Sequence, residues 1–179
     1  LAQAQGMNAR ALRVVEITAH RGTISDRNGE PLAISTPIES VWANPRVLIK
    51  QQQRLPALAK ATGLRLKPLQ RKLNNNRTRG FIYIKRHVSP DVAARVVKLD
   101  INGVALQREY RRYYPMAEVT SHVVGFTNID DRGQEGVELM LDEQLRGISG
   151  SKRVIKDLYG RIVENVERIS PAVNGENIE

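Results

Sequence analysis

Apolar and polar residues alternate from Val14 to Thr18, the period-two pattern of a half-buried strand. Ile24-Ser25-Asp26-Arg27-Asn28-Gly29 then leads into Leu32-Ala33-Ile34, and Asn28-Gly29 is the strongest short hairpin signal in the chain. A further strand over Ile38 to Ala43 meets Asn44-Pro45, where Asn can cap a helix and Pro can fill its first turn without losing a hydrogen bond; that helix should end near Pro56. Pro56 can open a second short helix that stops at Gly63, and Pro68 a third through Leu73, ending at Asn74-Asn75-Asn76.

Phe81 to Ile84 reads as a strand, and Ser89-Pro90-Asp91 opens a helix with Val92, Val96 and Leu99 at helical spacing. Val104 to Tyr114 reads as extended. From Gln134 to Arg146, Val137, Met140, Leu141 and Leu145 form one apolar stripe, with Glu135 and Glu138 at the positive helix end and Gly147 as the stop. Arg153 to Lys156 and Arg161 to Val163 flank Asp157-Leu158-Tyr159-Gly160 as a second hairpin, and Ser170-Pro171 with Asn174-Gly175 reads as an exit linker. There is no regular strand-helix alternation and no repeat. The expected class is α+β: an elongated, irregular mix of hairpins and short helices with mostly antiparallel strands, with room for two subdomains that divide near residue 100.

With 41% hydrophobic and 26% charged residues, the 179-residue chain has the composition of a folded domain. It contains no run near the roughly 18 apolar residues that span a membrane. Both ends read as cut points, so the chain is expected to be a piece of a longer protein. The absence of Cys excludes thiol catalysis and Cys-based zinc sites. A net charge of +9 favours an acidic partner, although the basic residues read as dispersed.

Four chemistries can be tested on the residues. Ser149-Gly150-Ser151-Lys152 matches the Ser-x-x-Lys nucleophile motif, in which Lys one helical turn away takes the serine proton. Gly147, Gly150 and the strand-like Arg153-Val154-Ile155 argue against a helix there, and Ser-x-Asn and Lys-Thr-Gly partners are missing. His20, His87 and His122 are far apart and make no metal motif; they are expected to be structural. Asp130, Asp131, Glu135, Glu138, Asp142 and Glu143 are dense but lack a calcium-loop pattern, so caps and solvated faces are expected. Arg108, Arg111 and Arg112 interleaved with Tyr110, Tyr113 and Tyr114 are the best case for nucleic acid, but strand alternation would split them between two faces. Neither a catalytic site, a cofactor site nor a nucleic-acid site is expected.

Two sequence blocks point to a family. Arg21-Gly22-Thr23-Ile24-Ser25-Asp26-Arg27-Asn28-Gly29-Glu30-Pro31-Leu32-Ala33 closely resembles the opening signature of class B penicillin-binding proteins. Arg112-Tyr113-Tyr114-Pro115 through His122, Gly125 and Phe126, then Gly133, Gly136 and Glu138, resembles their second non-catalytic signature, which Leu145, Gly147, Gly150, Asp157 and Gly160 continue. Arg-Arg-Tyr-Tyr-Pro with Gly125-Phe126-Thr127-Asn128 is most similar to the division-specific branch. Ala117 departs from the family's frequent glycine, and Arg46 to Arg79 carries no recognised signature.

The resemblance implies a non-catalytic pedestal on the periplasmic side of the bacterial inner membrane, at the septum. Residues 1–20 would be membrane-proximal, 21–169 the pedestal, and 170–179 a linker to a serine transpeptidase that crosslinks peptidoglycan. Implied partners are that transpeptidase, a polytopic glycan polymerase and single-span division proteins, with an upstream helix as membrane anchor. Of the family-motif residues, Arg21, Asp26, Arg112 and Glu138 are expected to form charge-assisted bonds joining hairpin, strand and helix, since buried charges need partners.

Overall fold

The computed structural model describes residues 11–156 and 162–179. The chain forms two compact units, one built mainly on Ile38–Glu109, the other on Val14–Pro37, Tyr110–Arg153 and Val166–Glu179. It is α+β with antiparallel strand pairing.

Strands β1 (Ala11–Ile17), β6 (Gly150–Lys156) and β7 (Ile162–Ser170) make a three-stranded sheet in the order β1–β6–β7. The turn expected between β6 and β7, including Gly160, lies outside the described residues. In the second sheet, β2 (Ile24–Ser25) pairs with β3 (Pro31–Ala43), β3 pairs with β4 (Ile82–Val88), and β5 (Val104–Tyr113) also pairs with β3. β3 is one long strand where the sequence predicts two. Pro37 removes one backbone donor, and Thr36 supplies another link by donating its hydroxyl to the Arg111 carbonyl at 3.0 Å.

The hairpin between β2 and β3 follows from Asp26 and Gly29. Asp26 Oδ1 accepts from the amides of Asn28 at 2.8 Å and Glu30 at 3.0 Å, and Gly29 supplies the left-handed φ of +80°.

In the first unit, Asn44 caps α1 (Pro45–Leu48) by accepting from the Arg46 amide. The helix expected to run on to Pro56 breaks at Gln51, whose φ of −126° and ψ of 48° lie inside a 3-10 segment, Ile49–Arg54. Gln51 Nε2 donates to the Asn102 carbonyl at 2.7 Å, which holds the kink. Then come α2 (Leu55–Thr62), closed by left-handed Gly63, α3 (Leu66–Asn75), and α4 (Pro90–Leu99), whose Ser89 cap accepts from the Val92 amide. Leu48, Leu55, Leu58 and Leu73 are fully buried against β3 and β4 residues Val41, Ala43, Ile82 and Ile84.

The second unit holds α5 (Ala117–Val124), α6 (Gly136–Met140) and α7 (Asp142–Arg146) around Ile24, Ala33, Val124 and Leu145. The single helix expected over Gln134–Arg146 is two helices, broken at Leu141 with φ −112° and ψ 24°. Its stripe is only partly a core stripe: Leu145 is fully buried while Met140 is 79% exposed. Residues 170–179, read from sequence as a linker, fold back onto this unit. Ile148 and Val173 exchange backbone hydrogen bonds at 2.8 Å, Gly175 N donates to His20 O, and Ile178 pairs with Ile24.

Candidate functional site

The most concentrated chemistry of the second unit is an interior ion network. Arg21, three residues before β2, joins polar side chains from the middle of β3, the end of β5 and the two short helices. Arg21, Ser35, Arg112 and Glu138 are all buried, Glu138 completely. Arg112 grips the Glu138 carboxylate as a fork, Nε to Oε2 at 2.9 Å and Nη2 to Oε1 at 3.0 Å. Its remaining donors reach Ser35 Oγ at 2.9 Å and the Gly22 carbonyl at 2.6 Å.

Arg21 approaches the same acid from another side. Its Nε lies 3.3 Å from Glu138 Oε1, Nη2 donates to the Glu138 carbonyl at 2.9 Å, and Nη1 donates to Asp142 Oδ1 at 2.7 Å. The Glu138 carbonyl that an unbroken helix would give to the amide four residues on is thus bound by Arg21, which accounts for the break at Leu141. Tyr114 closes the network, donating its hydroxyl to Glu138 Oε2 at 2.7 Å and accepting from the Thr127 amide at 3.1 Å.

The electrostatics follow from this packing. Burial pushes the Glu138 carboxyl up, but the Arg112 hydrogen bonds and charge, the Tyr114 hydroxyl and the Arg21 charge outweigh it and hold the group below the usual carboxylate range. Asp142 behaves alike: burial raises it, and the Gly133 amide with Arg21 brings it down. Asp131 goes the other way, because burial outweighs the attraction of Arg21 and Arg112. Its Oδ1 is buried without a hydrogen-bond partner among the described residues, and its φ is +61°. Tyr114 is raised, mainly by burial and by the adjacent Glu138.

The remaining family-motif residues are scaffold or surface. Asp26, Arg27, Asn28 and Gly29 make the exposed hairpin turn, and Asp26 binds its own turn rather than Arg21 or Arg112. Pro115 is exposed before α5, and His122 is exposed on it. Gly125 and Gly136 let two backbone segments touch: a Cβ on Gly125 would stand 1.9 Å from the Glu135 carbonyl, and one on Gly136 2.4 Å from that of Val123. Gly133 and Gly147 are packed against backbone in the same way. Ala117, the family departure, opens α5 with its side chain exposed, so the extra methyl displaces nothing.

The sequence-level alternatives are separated by geometry. Ser149 precedes strand β6 and Lys152 lies within it, so an extended backbone of about 3.3 Å per residue, not a helical turn, divides them. Ser149 borders an open cleft of about 450 Å³ shared with Asp130, Asp131, Arg132 and Arg146, a mixed set of charges. Of the Arg and Tyr residues in and just after β5, Arg112 and Tyr114 serve the network, Arg108 pairs with Glu39 at 2.8 Å, and Tyr110 packs edge-on against His20. Among the described residues, no three His, Asp or Glu side chains are placed to hold a metal ion, and no helix is long and apolar enough to cross a membrane.

Sequence reading missed Ser35, the role of Asp142, and a second polar cluster in the first unit. There Glu109 receives Ser40 Oγ, Tyr83 OH at 3.1 Å and Arg86 Nε at 3.2 Å, while the His87 amide donates to Ser40 Oγ. No local pattern marked them: Ser40 and Glu109 adjoin other polar residues without period-two alternation, and Asp142 lies in a dense acidic run.

Residues 16–179 match the family model described as the Penicillin-binding Protein dimerisation domain. The chain belongs to that family. It is 44% identical over 162 residues to the peptidoglycan D,D-transpeptidase FtsI of Escherichia coli strain K12, covering 88% of this chain and 28% of that relative. It is 38% identical over 178 residues to the probable peptidoglycan D,D-transpeptidase PenA of Neisseria meningitidis serogroup A, covering 97% of this chain and 30% of PenA. The chain therefore spans less than a third of these curated relatives. A solved complex between penicillin-binding protein PBP2 and MreC from Helicobacter pylori shares the fold, with a TM-score of 0.65 at 19% identity over 92% of this chain and 35% of that one. In this chain the ion network lies in the interior of the second unit, with Arg21, Arg112 and Glu138 buried, and joins Arg21 to Glu138 across 117 residues of sequence.

Proposed function

We propose that this chain is the non-catalytic pedestal of a membrane-anchored peptidoglycan D,D-transpeptidase that builds the division septum. In this reading residues 1–20 approach the membrane and 21–179 form the pedestal, its last ten residues packed on the second unit on the way to the transpeptidase domain, all on the periplasmic side of the inner membrane. The pedestal holds the catalytic domain in place and offers surfaces to a polytopic glycan polymerase and to single-span division proteins. The observation that carries the reading is the identity with FtsI across 88% of the chain. The family-signature residues Arg21, Arg112, Tyr114 and Glu138 support it, because they are spent on internal cohesion rather than on a solvent-facing site.

The direct test grafts this chain in place of the matching segment of Escherichia coli FtsI in cells depleted of their own copy. Restored septation is expected. Filamentous cells containing a stable, membrane-located chimera that still reacts with a fluorescent β-lactam would overturn the proposal. The same β-lactam should leave the chain on its own unlabelled. Labelling that disappears in Ser149→Ala would instead place acyl chemistry here.

A further inference from the structure

The positive charge is concentrated rather than dispersed, and it lies away from both family signatures. Between Arg46 and Arg79 there are ten Lys and Arg residues and not one Asp or Glu. Ile38–Glu109, the main body of the first unit, carries fifteen basic residues against four acidic ones. This surplus exceeds the net charge of the whole chain.

Structure turns that composition into a surface. On α3, Leu69 and Leu73 face the core while Lys67, Arg71 and Lys72 are exposed. Lys67 and Arg71 stand one helical turn apart, a like-charge spacing that an isolated helix disfavours and that an acidic neighbour would normally relieve. Among the described residues neither has an acidic partner. Lys60, Arg65 and Arg77 beside them are exposed too. None of the ten basic residues pairs with a carboxylate among the described residues. Nor does α1, α2 or α3 have an acidic residue in its first turn.

Self-repulsion of this kind is relieved by an external anion. The chemistry around the charges selects among anions. Over Ile38–Glu109 the exposed large apolar side chains are two, far apart in sequence: Phe81, whose ring stacks on Trp42 at 4.8 Å, and Val97 on α4. A face that enters the lipid interface presents several apolar side chains beside its basic ones, and a single-strand nucleic-acid groove presents free aromatic platforms. This surface has neither. Instead, Gln52, Gln53, Asn74 and Asn75 are exposed within the same basic stretch and suit the amides and carboxylates of a peptide.

We propose that the helical surface of the first unit, centred on Lys67, Arg71 and Lys72, is a docking site for an acidic segment of a partner protein. The inference does not depend on the transpeptidase reading, and its test uses this chain alone. A fluorescent peptide of twelve glutamates is titrated with the chain at several salt concentrations and followed by anisotropy. Saturable binding that weakens steeply with salt is expected, with Kd rising at least tenfold in K67E/R71E/K72E. The matched second-unit variant R27E/R111E/R168E should change Kd less than twofold. Variant K60E/R77E, tested separately, should weaken binding several-fold even if the triple variant fails to fold, as judged by circular dichroism. Equal losses in the first-unit and second-unit variants would show mere net-charge attraction and overturn the site. Tighter, Lys67-dependent and Arg71-dependent binding to phosphatidylglycerol vesicles or to a single-stranded oligonucleotide than to the peptide would overturn the choice of partner.

Discussion

Arg112 and Glu138 face each other through two parallel hydrogen bonds at 2.9 and 3.0 Å, and both side chains are withdrawn from solvent. Removing one member leaves the other charge buried without its counterpart, which in a protein interior costs about 3–5 kcal/mol. Arg112→Ala should therefore lower the melting midpoint sharply. Arg112→Lys should recover little, because an ammonium cannot reproduce the fork or reach Ser35 Oγ and the Gly22 carbonyl at once. A folded Arg112→Ala protein with an unchanged midpoint in urea or heat would remove the structural role assigned here.

The sign of the pH dependence follows from the carboxylates. Glu138 and Asp142 sit below their ordinary values of 4.5 and 3.8, so the folded state favours their ionised forms. Their contribution is fully present above those values and is lost as pH falls through the lower folded ones. Stability should stay flat from neutral pH to about 5.5 and fall below about 4.5. Glu109 in the first unit is lowered as well and contributes with the same sign. The Glu138→Gln variant isolates the second unit: its acid slope should be shallower than that of the unsubstituted chain. Parallel curves would mean that Glu138 does not titrate as described.

How far these features were visible beforehand depended on what each residue touches. The hairpin was legible because Asp26, Asn28 and Gly29 settle it locally. Helix α4 was legible because Ser89, Pro90 and Val92 carry their own start signal. Helix α5 was not: Val119, Thr120, Val123 and Val124 are β-branched, and Val119 and Val123 point to solvent, so neither propensity nor an apolar stripe announced it. The break at Leu141 was hidden for a different reason. It depends on Arg21, 120 residues away in sequence, and no local pattern encodes that contact. The same holds for Ser35 and Asp142, ordinary polar residues until the fold places a guanidinium against each.

Asp131 offers the opposite test of the network. Burial raises its carboxyl above the ordinary 3.8, and one oxygen has no hydrogen-bond partner among the described residues. A raised acid opposes folding when ionised, and the penalty fades as pH drops through the folded value. Asn tolerates the left-handed backbone found here. Asp131→Asn should accordingly raise stability at pH 7 by up to about 1 kcal/mol, with the gain shrinking in acid. A loss of stability at pH 7 would show that the Asp131 charge supports the arginines instead.

The glycines separate backbone conformation from space. At Gly29 φ is +80° and nothing lies within 4 Å of an added Cβ, so Gly29→Ala should cost only the left-handed strain, about 1 kcal/mol. Gly133 has no positive φ, but a Cβ there would stand 1.9 Å from the Glu138 carbonyl, the oxygen that also accepts from Arg21 Nη2. Space alone forbids the methyl, and the clash pushes α6 away from Arg21. Gly133→Ala should cost more than Gly29→Ala, roughly 3 kcal/mol or more. It should also flatten the acid slope as Glu138→Gln does, because the carboxylate would lose its guanidinium partners. Urea titration at pH 7 and pH 4 reads both effects. A Gly133→Ala protein with a midpoint like that of Gly29→Ala would mean that the two segments are not held in contact.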